Sequence, residues 1–340
     1  MHNRIQGGSL QVHPTRLCNL ACRHCYSDSS PQQRGALRPE LISQVIEDAA
    51  AIGFDVISLS GGEPLIYDGL GEILQTARTL GCKVNFVSNG ILIAGRHYRR
   101  HAGSFSVVAL SLDGLAPRHN AIRGSDKSFE QVRRAARILR DDGQLFGLIH
   151  TMTSESLDEI ETLCELAAEW GAGLIQLHPF EPAGRGIGVV DMTPLSAHER
   201  VVAYVLAAAT QSLYPQLRVQ LDLVHRDIAR RAPEVLLAQP MAEPAPLNEL
   251  VLQDDGTIVP LTYGLGSHWA VTDIRRQCLA EAWPQYLAAQ WPELRRRIRL
   301  AALEVARGRH GDVAAWHPVL RDVASRMSTS APLRKELVAA

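Results

Sequence analysis

The sequence predicts an α/β protein, a partial (β/α)6 barrel followed by a smaller α+β C-terminal region. Over roughly the first 190 residues, short β-branched runs alternate six times with amphipathic segments. Such alternation is typical of a parallel sheet wrapped by helices. Six repeats are fewer than the eight of a closed barrel, so we expect an open one. Beyond that point the alternation stops.

Each strand is predicted from a short apolar run that ends at polar or glycine residues. The six predicted strands are Ser9–His13, Asp55–Leu59, Lys83–Ser88, Ser106–Leu112, Leu145–Thr151 and Leu174–His178. Helical spacing of apolar residues predicts helices over Pro39–Ile52, Leu70–Leu80 and Phe129–Leu139, and one that runs to Trp170. Proline in the first turn and glycine after the last favour the first of these helices. Ser156 and Glu159 have the spacing of a capping box ahead of the last helix.

The remaining sequence predicts three segments, namely a barrel over 1–190, a helical connector over 191–246 and a C-terminal region over 247–340. Within the connector, Ser196–Ala209 is helical in pattern, and four prolines fall within Pro233–Pro246. Leu250–Leu261 holds two apolar runs around Asp255-Gly256, which predicts a β-hairpin. From Gln277 onward the pattern is largely helical.

Composition excludes several classes of protein. Acidic and basic residues nearly cancel, 36 against 35, so we expect no nucleic-acid partner that needs a basic surface. No apolar run reaches membrane-spanning length, and the N-terminus lacks the apolar core of a signal peptide. We therefore expect a soluble cytoplasmic protein that has no membrane partner.

Three of the six cysteines, Cys18, Cys22 and Cys25, form a C-x3-C-x2-C cluster in the loop after the first predicted strand. Clustered thiols outside a disulfide framework usually bind metal. A structural zinc site would need a fourth ligand, which His13, His24 or a distant cysteine could supply. A [4Fe–4S] cluster held by three thiolates would leave one iron open. The absence of a second cysteine pair favours the cluster.

Polar residues also follow the other predicted strands at their carboxyl ends, where barrels of this kind place their chemistry. These residues are Gly61-Gly62-Glu63, Ser88-Asn89-Gly90, Ser111-Leu112-Asp113-Gly114, His150 and His178. Each alone would be an ordinary turn. Together with the cysteines they indicate a single functional edge.

These motifs resemble those of the radical S-adenosylmethionine (SAM) enzymes over residues 8 to about 185. The cysteine loop, CNLACRHCY, resembles their cluster loop, with His24 where an aromatic residue is commoner. The resemblance implies a [4Fe–4S] cluster on Cys18, Cys22 and Cys25 and bound SAM. Gly61, Gly62 and Glu63 would hold the SAM amino group. Its carboxylate and ribose would contact Ser88, Asn89, Ser111 and Asp113, with help from Arg123.

The resemblance further implies reductive cleavage of SAM to a 5′-deoxyadenosyl radical that abstracts hydrogen from substrate. An electron donor such as a flavodoxin or a ferredoxin would reduce the cluster. We expect His150 and His178, and with them Glu181 and Arg185, to face the substrate above the SAM site. The alternative for these four is simple solvation of loop residues.

The segment after the sixth strand, LHPFEPAGRG, resembles members that process peptides or tetrapyrroles, such as the pyrroloquinoline quinone and haem-pathway enzymes. Those members usually carry a C-terminal SPASM domain, whose cysteines bind auxiliary clusters. The predicted hairpin resembles that domain, but Leu261 stands where a cluster cysteine would follow the proline. Only Cys278 lies beyond residue 190, so we expect a degenerate SPASM-like region without an auxiliary cluster.

The substrate would then be a peptide or a biosynthetic intermediate such as a tetrapyrrole. About eight residues precede the first strand, which counts against a leader-binding module and so against a peptide. One alternative is a small-molecule enzyme similar to the molybdopterin-precursor cyclase. Another is a non-catalytic iron–sulfur or zinc scaffold.

Overall fold

A ten-stranded sheet, with neighbours in the order β11-β10-β9-β1-β2-β3-β4-β5-β6-β7, runs through the computed structural model, which describes residues 7–231 and 247–326. A second sheet pairs β8 with β12. The strands are β1 (Gly8–Val12), β2 (Phe54–Leu59), β3 (Lys83–Ser88), β4 (Val107–Ser111), β5 (Phe146–Met152), β6 (Leu174–Pro179), β7 (Arg218–Leu221), β8 (Leu223–His225), β9 (Glu249–Leu252), β10 (Thr257–Pro260), β11 (Thr272–Asp273) and β12 (Val313–Ala315).

Helices connect most of these strands and bury one face of the large sheet. They are α1 (Pro39–Ile52), α2 (Leu70–Thr79), α3 (Arg96–Arg99), α4 (Ala116–Arg123), α5 (Ser128–Asp141), α6 (Ile160–Trp170), α7 (Ala197–Leu213), α8 (Arg226–Arg231), α9 (Leu279–Ala289), α10 (Trp291–Ala306) and α11 (Trp316–Ser325). Short 3₁₀ turns lie at Pro64–Ile66, Ser154–Glu159, Gly184–Gly186 and Ser267–Trp269. None of the helices in the described ranges is long and apolar enough to cross a bilayer.

Strands β1 to β7 all pair in parallel with their sequence neighbours, which confirms the predicted parallel sheet. Helix α1 has the predicted bounds, because Pro39 starts it and Gly53 ends it with a φ of 107°. The predicted capping box is wrong. Thr153 and Ser156 form that box instead, and Glu159 contacts Arg118 and Leu115.

The predicted hairpin around Asp255-Gly256 is present as β9 and β10. Strand β9 pairs in parallel with β1, so the hairpin continues the barrel sheet instead of standing apart from it. Within the predicted helical connector, the sequence missed the short strands β7 and β8. The proline-rich stretch Pro233–Pro246 lies wholly outside the described residues. The division into barrel, connector and C-terminal region stays a prediction.

Strand alternation decides which side chains face the helices and which face the opposite side of the sheet. In β6, Ile175 and Leu177 are buried in the core, whereas Gln176 and His178 are partly exposed on the other face. We call this second face the open face. It carries the polar side chains available to a ligand, and it lies opposite the main hydrophobic core.

Register shows that the prediction for His150 is wrong. On β5, Thr151 pairs with His178 and therefore shares the open face, whereas His150 pairs with the buried Leu177. His150 is fully buried, with Nδ1 3.0 Å from the Leu112 carbonyl oxygen and Nε2 3.2 Å from Ser156 Oγ. It holds together the segments that follow β4 and β5, and it does not face substrate.

Candidate functional site

The three clustered thiols lie in the loop between β1 and α1, at the carboxyl end of the parallel strands. Each sulfur has an N–H donor. Asn89 Nδ2 is 3.8 Å from Cys18 Sγ. Arg123 Nη1 is 3.6 Å from Cys22 Sγ, and the Ser29 backbone N–H donates to Cys25 Sγ at 3.2 Å. N–H donors of this kind stabilise thiolates in iron–sulfur sites and tune the cluster potential.

Burial keeps two of these thiols, Cys18 and Cys22, protonated while they bind no metal. It raises the pKa of Cys18 to about 12. It also raises the pKa of Cys22, although the charge of Arg123 opposes the rise. A thiolate in this site would therefore need a metal as well as the three donors. Soft sulfur ligands with an N–H donor at each sulfur fit a [4Fe–4S] cluster.

The two histidines considered as a fourth zinc ligand have other surroundings. His24 Nε2 lies 3.1 Å from a carboxylate oxygen of Asp113. His13 is fully buried and stacks on Tyr263 with ring centroids 4.7 Å apart. Over residues 7–231 and 247–326, no group of three His, Cys, Asp or Glu side chains could hold a single metal ion such as zinc.

Asp113, which follows β4, connects the cysteine loop to the barrel. Its carboxylate forms ion pairs with His24 and, at 2.5 Å, with Arg123, whose other nitrogen reaches Cys22. Burial alone would raise the pKa of Asp113, but Arg123 and His24 hold that pKa well below its usual range. We expected Asp113 and Arg123 to contact SAM. The structure gives both side chains partners within the chain.

Glu63, which ends the Gly61-Gly62-Glu63 motif, is buried at the carboxyl end of β2. Its carboxylate accepts from Ser88 Oγ at 3.1 Å and from the backbone N–H of Asn89 at 3.0 Å. Burial raises the pKa of Glu63 to about 7, although these hydrogen bonds oppose the rise. A bound cation would favour the ionised form, so the site can exchange a proton for an ammonium group.

Ser88 and Asn89, which we expected to contact SAM, donate hydrogen bonds to other residues of the chain. Ser88 Oγ donates to Glu63, and Asn89 Nδ2 donates to Asn19 Oδ1 at 2.8 Å. Ser111 lies partly exposed on the open face, at the end of β4. Of the expected hydroxyl donors, Ser111 is therefore the one left accessible.

The two glycines of this motif approach the cysteine loop closely. A Cβ on Gly62 would lie 2.0 Å from the Leu17 carbonyl oxygen. A Cβ on Gly61, where φ is 98°, would lie 3.0 Å from the Thr15 carbonyl oxygen. Backbone hydrogen bonds from Gly62 to Thr15 and from Glu63 to Leu17 join the same segments. We expected these glycines to help hold the SAM amino group, and in the structure they allow the cysteine loop to approach closely.

His178 is the expected site histidine that does reach the open face. Its Nδ1 lies 2.9 Å from Asp222 Oδ2, and Gln176 donates to the same oxygen at 2.6 Å. Burial alone would lower the pKa of His178, but the hydrogen bond and charge of Asp222 raise it. Sequence analysis missed Asp222, since it follows a strand that the apolar pattern did not reveal.

The other two residues expected beside the substrate, Glu181 and Arg185, both have partners within the chain. Glu181 forms an ion pair with Arg321 of α11. The Arg185 side chain donates to the Cys22 carbonyl oxygen at 2.8 Å, so it contacts the cysteine loop directly. These contacts place Arg185 against the cysteine loop, and its expected position facing substrate stays a prediction.

Comparison with known proteins decides which family shares this arrangement. Residues 12–167, which include the cysteine loop, Glu63, Asp113 and Arg123, match the Radical SAM superfamily. This part of the chain is a radical SAM domain. The matched region includes the cysteine loop and the Gly-Gly-Glu motif, the two features on which the predicted resemblance to this family depends.

Curated relatives match about half of the chain. An AdoMet-dependent heme synthase of Nitratidesulfovibrio vulgaris is 30% identical over 188 residues, which are 54% of this chain and 51% of that protein. The mycofactocin maturase MftC of Mycolicibacterium smegmatis is 30% identical over 190 residues, 55% of this chain and 48% of that protein. The chain thus spans about half the length of these relatives.

Solved structures confirm the predicted fold class. The Streptococcus suis SuiB crystal structure with bound S-adenosylmethionine aligns with a TM-score of 0.66 at 17% identity, over 83% of this chain and 67% of that one. The anSMEcpe structure with bound AdoMet aligns with a TM-score of 0.61 at 19% identity, over 82% of this chain and 80% of that one. At these identities the likeness shows the fold alone.

Proposed function

We propose that this protein is a radical SAM enzyme that abstracts hydrogen from a peptide or from a biosynthetic intermediate such as a tetrapyrrole. One observation carries the proposal. Three thiols, each with its own N–H donor, lie beside a buried glutamate at the carboxyl end of a parallel sheet. Cys18, Cys22 and Cys25 would hold a [4Fe–4S] cluster, which with SAM supplies the 5′-deoxyadenosyl radical.

In this proposal Glu63 accepts the ammonium group of SAM. The carboxylate lies among Ser88 Oγ and two backbone N–H groups, which fix its orientation before any ligand arrives. Its raised pKa falls again when the ammonium binds, because an adjacent cation favours the charged carboxylate. Ser111, partly exposed at the end of β4, is a hydroxyl that could donate to the SAM carboxylate or ribose.

The substrate would bind over the open face, where His178 is the titratable group with a fixed hydrogen-bond partner. Asp222 orients the ring through Nδ1, which leaves Nε2 to donate to or accept from the substrate. With its pKa raised by Asp222, His178 can bind a substrate carboxylate or move a proton near neutral pH. A reduced flavodoxin or ferredoxin would supply the electron.

A peptide substrate is supported by the relatives as well as by this polar face. Mycofactocin maturase is among the sequence relatives, and a structural neighbour is SuiB bound to the precursor peptide SuiA. Heme synthases among the relatives support a tetrapyrrole equally. A precursor peptide encoded beside the gene would decide for the first.

The test is anaerobic reconstitution with iron and sulfide, followed by reduction in the presence of SAM. We expect a brown protein with about four irons that releases 5′-deoxyadenosine. Cys22→Ala should abolish iron uptake and SAM cleavage. Cys82→Ala, which removes a partly buried thiol far from the loop, is the matched control and should leave both unchanged. A colourless zinc protein, or a cluster protein that leaves SAM intact, would refute the proposal.

A further inference from the structure

The 3₁₀ turn Gly184–Gly186, which follows β6, packs against the cysteine loop. The three contacts of the Arg185 guanidinium are made by three different nitrogens. Nε donates to the Cys22 carbonyl oxygen at 2.8 Å, and Nη2 donates to the Ser29 carbonyl oxygen at 2.5 Å. Nη1 donates to Asp28 Oδ1 at 2.9 Å. These acceptors bracket Cys25, so one side chain spans the turn that holds two of the three thiols.

The backbone of the same turn adds a fourth contact. The Arg185 N–H donates to the Cys25 carbonyl oxygen at 3.0 Å, and the Asp28 N–H donates to that same oxygen at 3.2 Å. Cys25 is therefore fixed both by its own loop and by a segment some 160 residues away in sequence.

The glycine before Arg185 allows this approach. Gly184 has a φ of 53°, and a Cβ there would lie 2.3 Å from the Tyr26 carbonyl oxygen and 2.6 Å from that of Cys25. Both near atoms are backbone atoms, which cannot swing aside as a long side chain can. Position 184 thus needs glycine for its conformation and for the space.

The chemistry of the contact requires a guanidinium. Arginine presents its donors in a planar fork, which matches acceptors that lie in different directions. A lysine ammonium carries its three donors on a single nitrogen, so it cannot reproduce the three separate donor positions that contact Cys22, Asp28 and Ser29. The neighbouring Arg16 binds the Ser27 carbonyl oxygen and the other oxygen of Asp28, so it does not replace either contact.

We propose that Arg185 is a positioning residue of the cysteine loop, which sets the separation of Cys22 and Cys25 before an iron–sulfur cluster binds. It thereby connects the cluster site to the end of β6, the strand that carries His178 on the open face. The inference rests on the proposed function, since it assumes that the loop holds a cluster. It goes beyond that function by assigning a task to the Gly-Arg-Gly turn.

The experiment compares the wild-type protein with Arg185→Lys after anaerobic reconstitution, and measures iron loss to a ferrous chelator. We expect the variant to lose iron on the order of tenfold faster, because a lysine cannot reproduce the three charge-assisted hydrogen bonds of the guanidinium fork. The electron paramagnetic resonance spectrum of the reduced cluster should also change. Arg133→Lys, at an exposed pair with Glu130 on α5, is the matched control and should behave as wild type.

Chemical rescue separates positioning from a general loss of folding. In Arg185→Ala, millimolar methylguanidinium should slow iron loss towards the wild-type rate, whereas methylammonium should not. The melting temperature of the metal-free Arg185→Lys protein should stay within a few degrees of wild type.

The possible failures are distinguishable. A wild-type chain that takes up no cluster would refute the proposed function. If the wild type takes up the cluster and Arg185→Lys keeps it with the same rate and spectrum, only the role of Arg185 is refuted. Equal rescue by the two cations would likewise overturn it, since a charge alone would then be sufficient.

Discussion

Gly62→Ala should disrupt the contact between the Gly-Gly-Glu motif and the cysteine loop. The added Cβ would lie 2.0 Å from the Leu17 carbonyl oxygen and 2.8 Å from its carbon. Real Cβ contacts start near 3.0 Å, so the two backbones must separate by about 1 Å. Such backbone shifts typically cost about 1–3 kcal/mol.

The same separation breaks two hydrogen bonds. The Gly62 N–H donates to the Thr15 carbonyl oxygen at 2.9 Å, and the Glu63 N–H donates to that of Leu17 at 3.1 Å. Lengthening both by about 1 Å ends them as hydrogen bonds, at about 1 kcal/mol each. The substitution should therefore destabilise the protein by about 3–5 kcal/mol in all. At roughly 2 °C for each kcal/mol in a chain of this length, the melting temperature should fall by about 6–10 °C.

The assay is thermal unfolding of the metal-free protein, followed by circular dichroism. Gly71→Ala is the matched control, because it adds the same methyl group within α2, where the nearest atom is His101 Cε1 at 3.5 Å. That control should leave stability unchanged or raise it by about 0.5–1 kcal/mol. If Gly62→Ala melts together with Gly71→Ala, the close approach of the two loops is not present in solution.

Three further predictions follow from the buried charges. Asp113→Asn should cost about 3–5 kcal/mol in urea unfolding, because it leaves the buried guanidinium of Arg123 without its partner. Asp222→Asn should lower the pKa of His178, measured as the ring-proton titration by NMR. SAM affinity, measured by calorimetry on the cluster-loaded protein, should weaken as pH falls through about 7, since Glu63 then takes up a proton. Glu63→Gln should make that affinity weak and independent of pH.

A control variant tests the prediction for Asp113→Asn, and the pH dependence of unfolding tests the prediction for Asp222→Asn. Asp191→Asn at the exposed pair with Arg23 should leave urea unfolding unchanged. The raised pKa of His178 means that its protonated form stabilises the fold below its unfolded value of 6.5 and that this contribution is lost as pH rises through the folded pKa. Asp222→Asn should therefore destabilise the protein more at pH 6 than at pH 9. The opposite order would show that Asp222 does not pair with His178.

Local signals predicted the barrel well wherever the signal and the structure lie in the same segment. Pro39 and Gly53 fixed both ends of α1, because a proline start and a left-handed glycine end act within one or two residues. Glu159 shows the limit of such reasoning. It has the right spacing to cap α6, but it accepts from Leu115 and Arg118 instead. These partners lie 44 and 41 residues away in sequence, so a short window of sequence cannot reveal them.

The site shows the same division. The order of the motifs placed the cysteines and Glu63 at the same edge of the sheet. It did not show which side chains would form hydrogen bonds or ion pairs with other residues of the chain. His150 and His178 both lie near the carboxyl ends of apolar strands. Only the register, which pairs His178 with Thr151, separates the buried histidine from the partly exposed one. A register shift of one residue moves every side chain of a strand to the opposite face of the sheet. An error of one residue in the predicted alternation therefore assigns a histidine to the wrong face.

The distribution of contacts around the cysteine loop explains why distant motifs belong to one site. Gly62 after β2 packs on Leu17, Arg123 of α4 reaches Cys22, and Arg185 after β6 brackets Cys25. The loop itself has little regular structure, so its shape depends on contacts supplied by the ends of three different repeats. A fragment that contained the cysteine loop without β6 would lack one of these supports. The shape of the cysteine loop is therefore a property of the assembled barrel and not of the C-x3-C-x2-C segment alone.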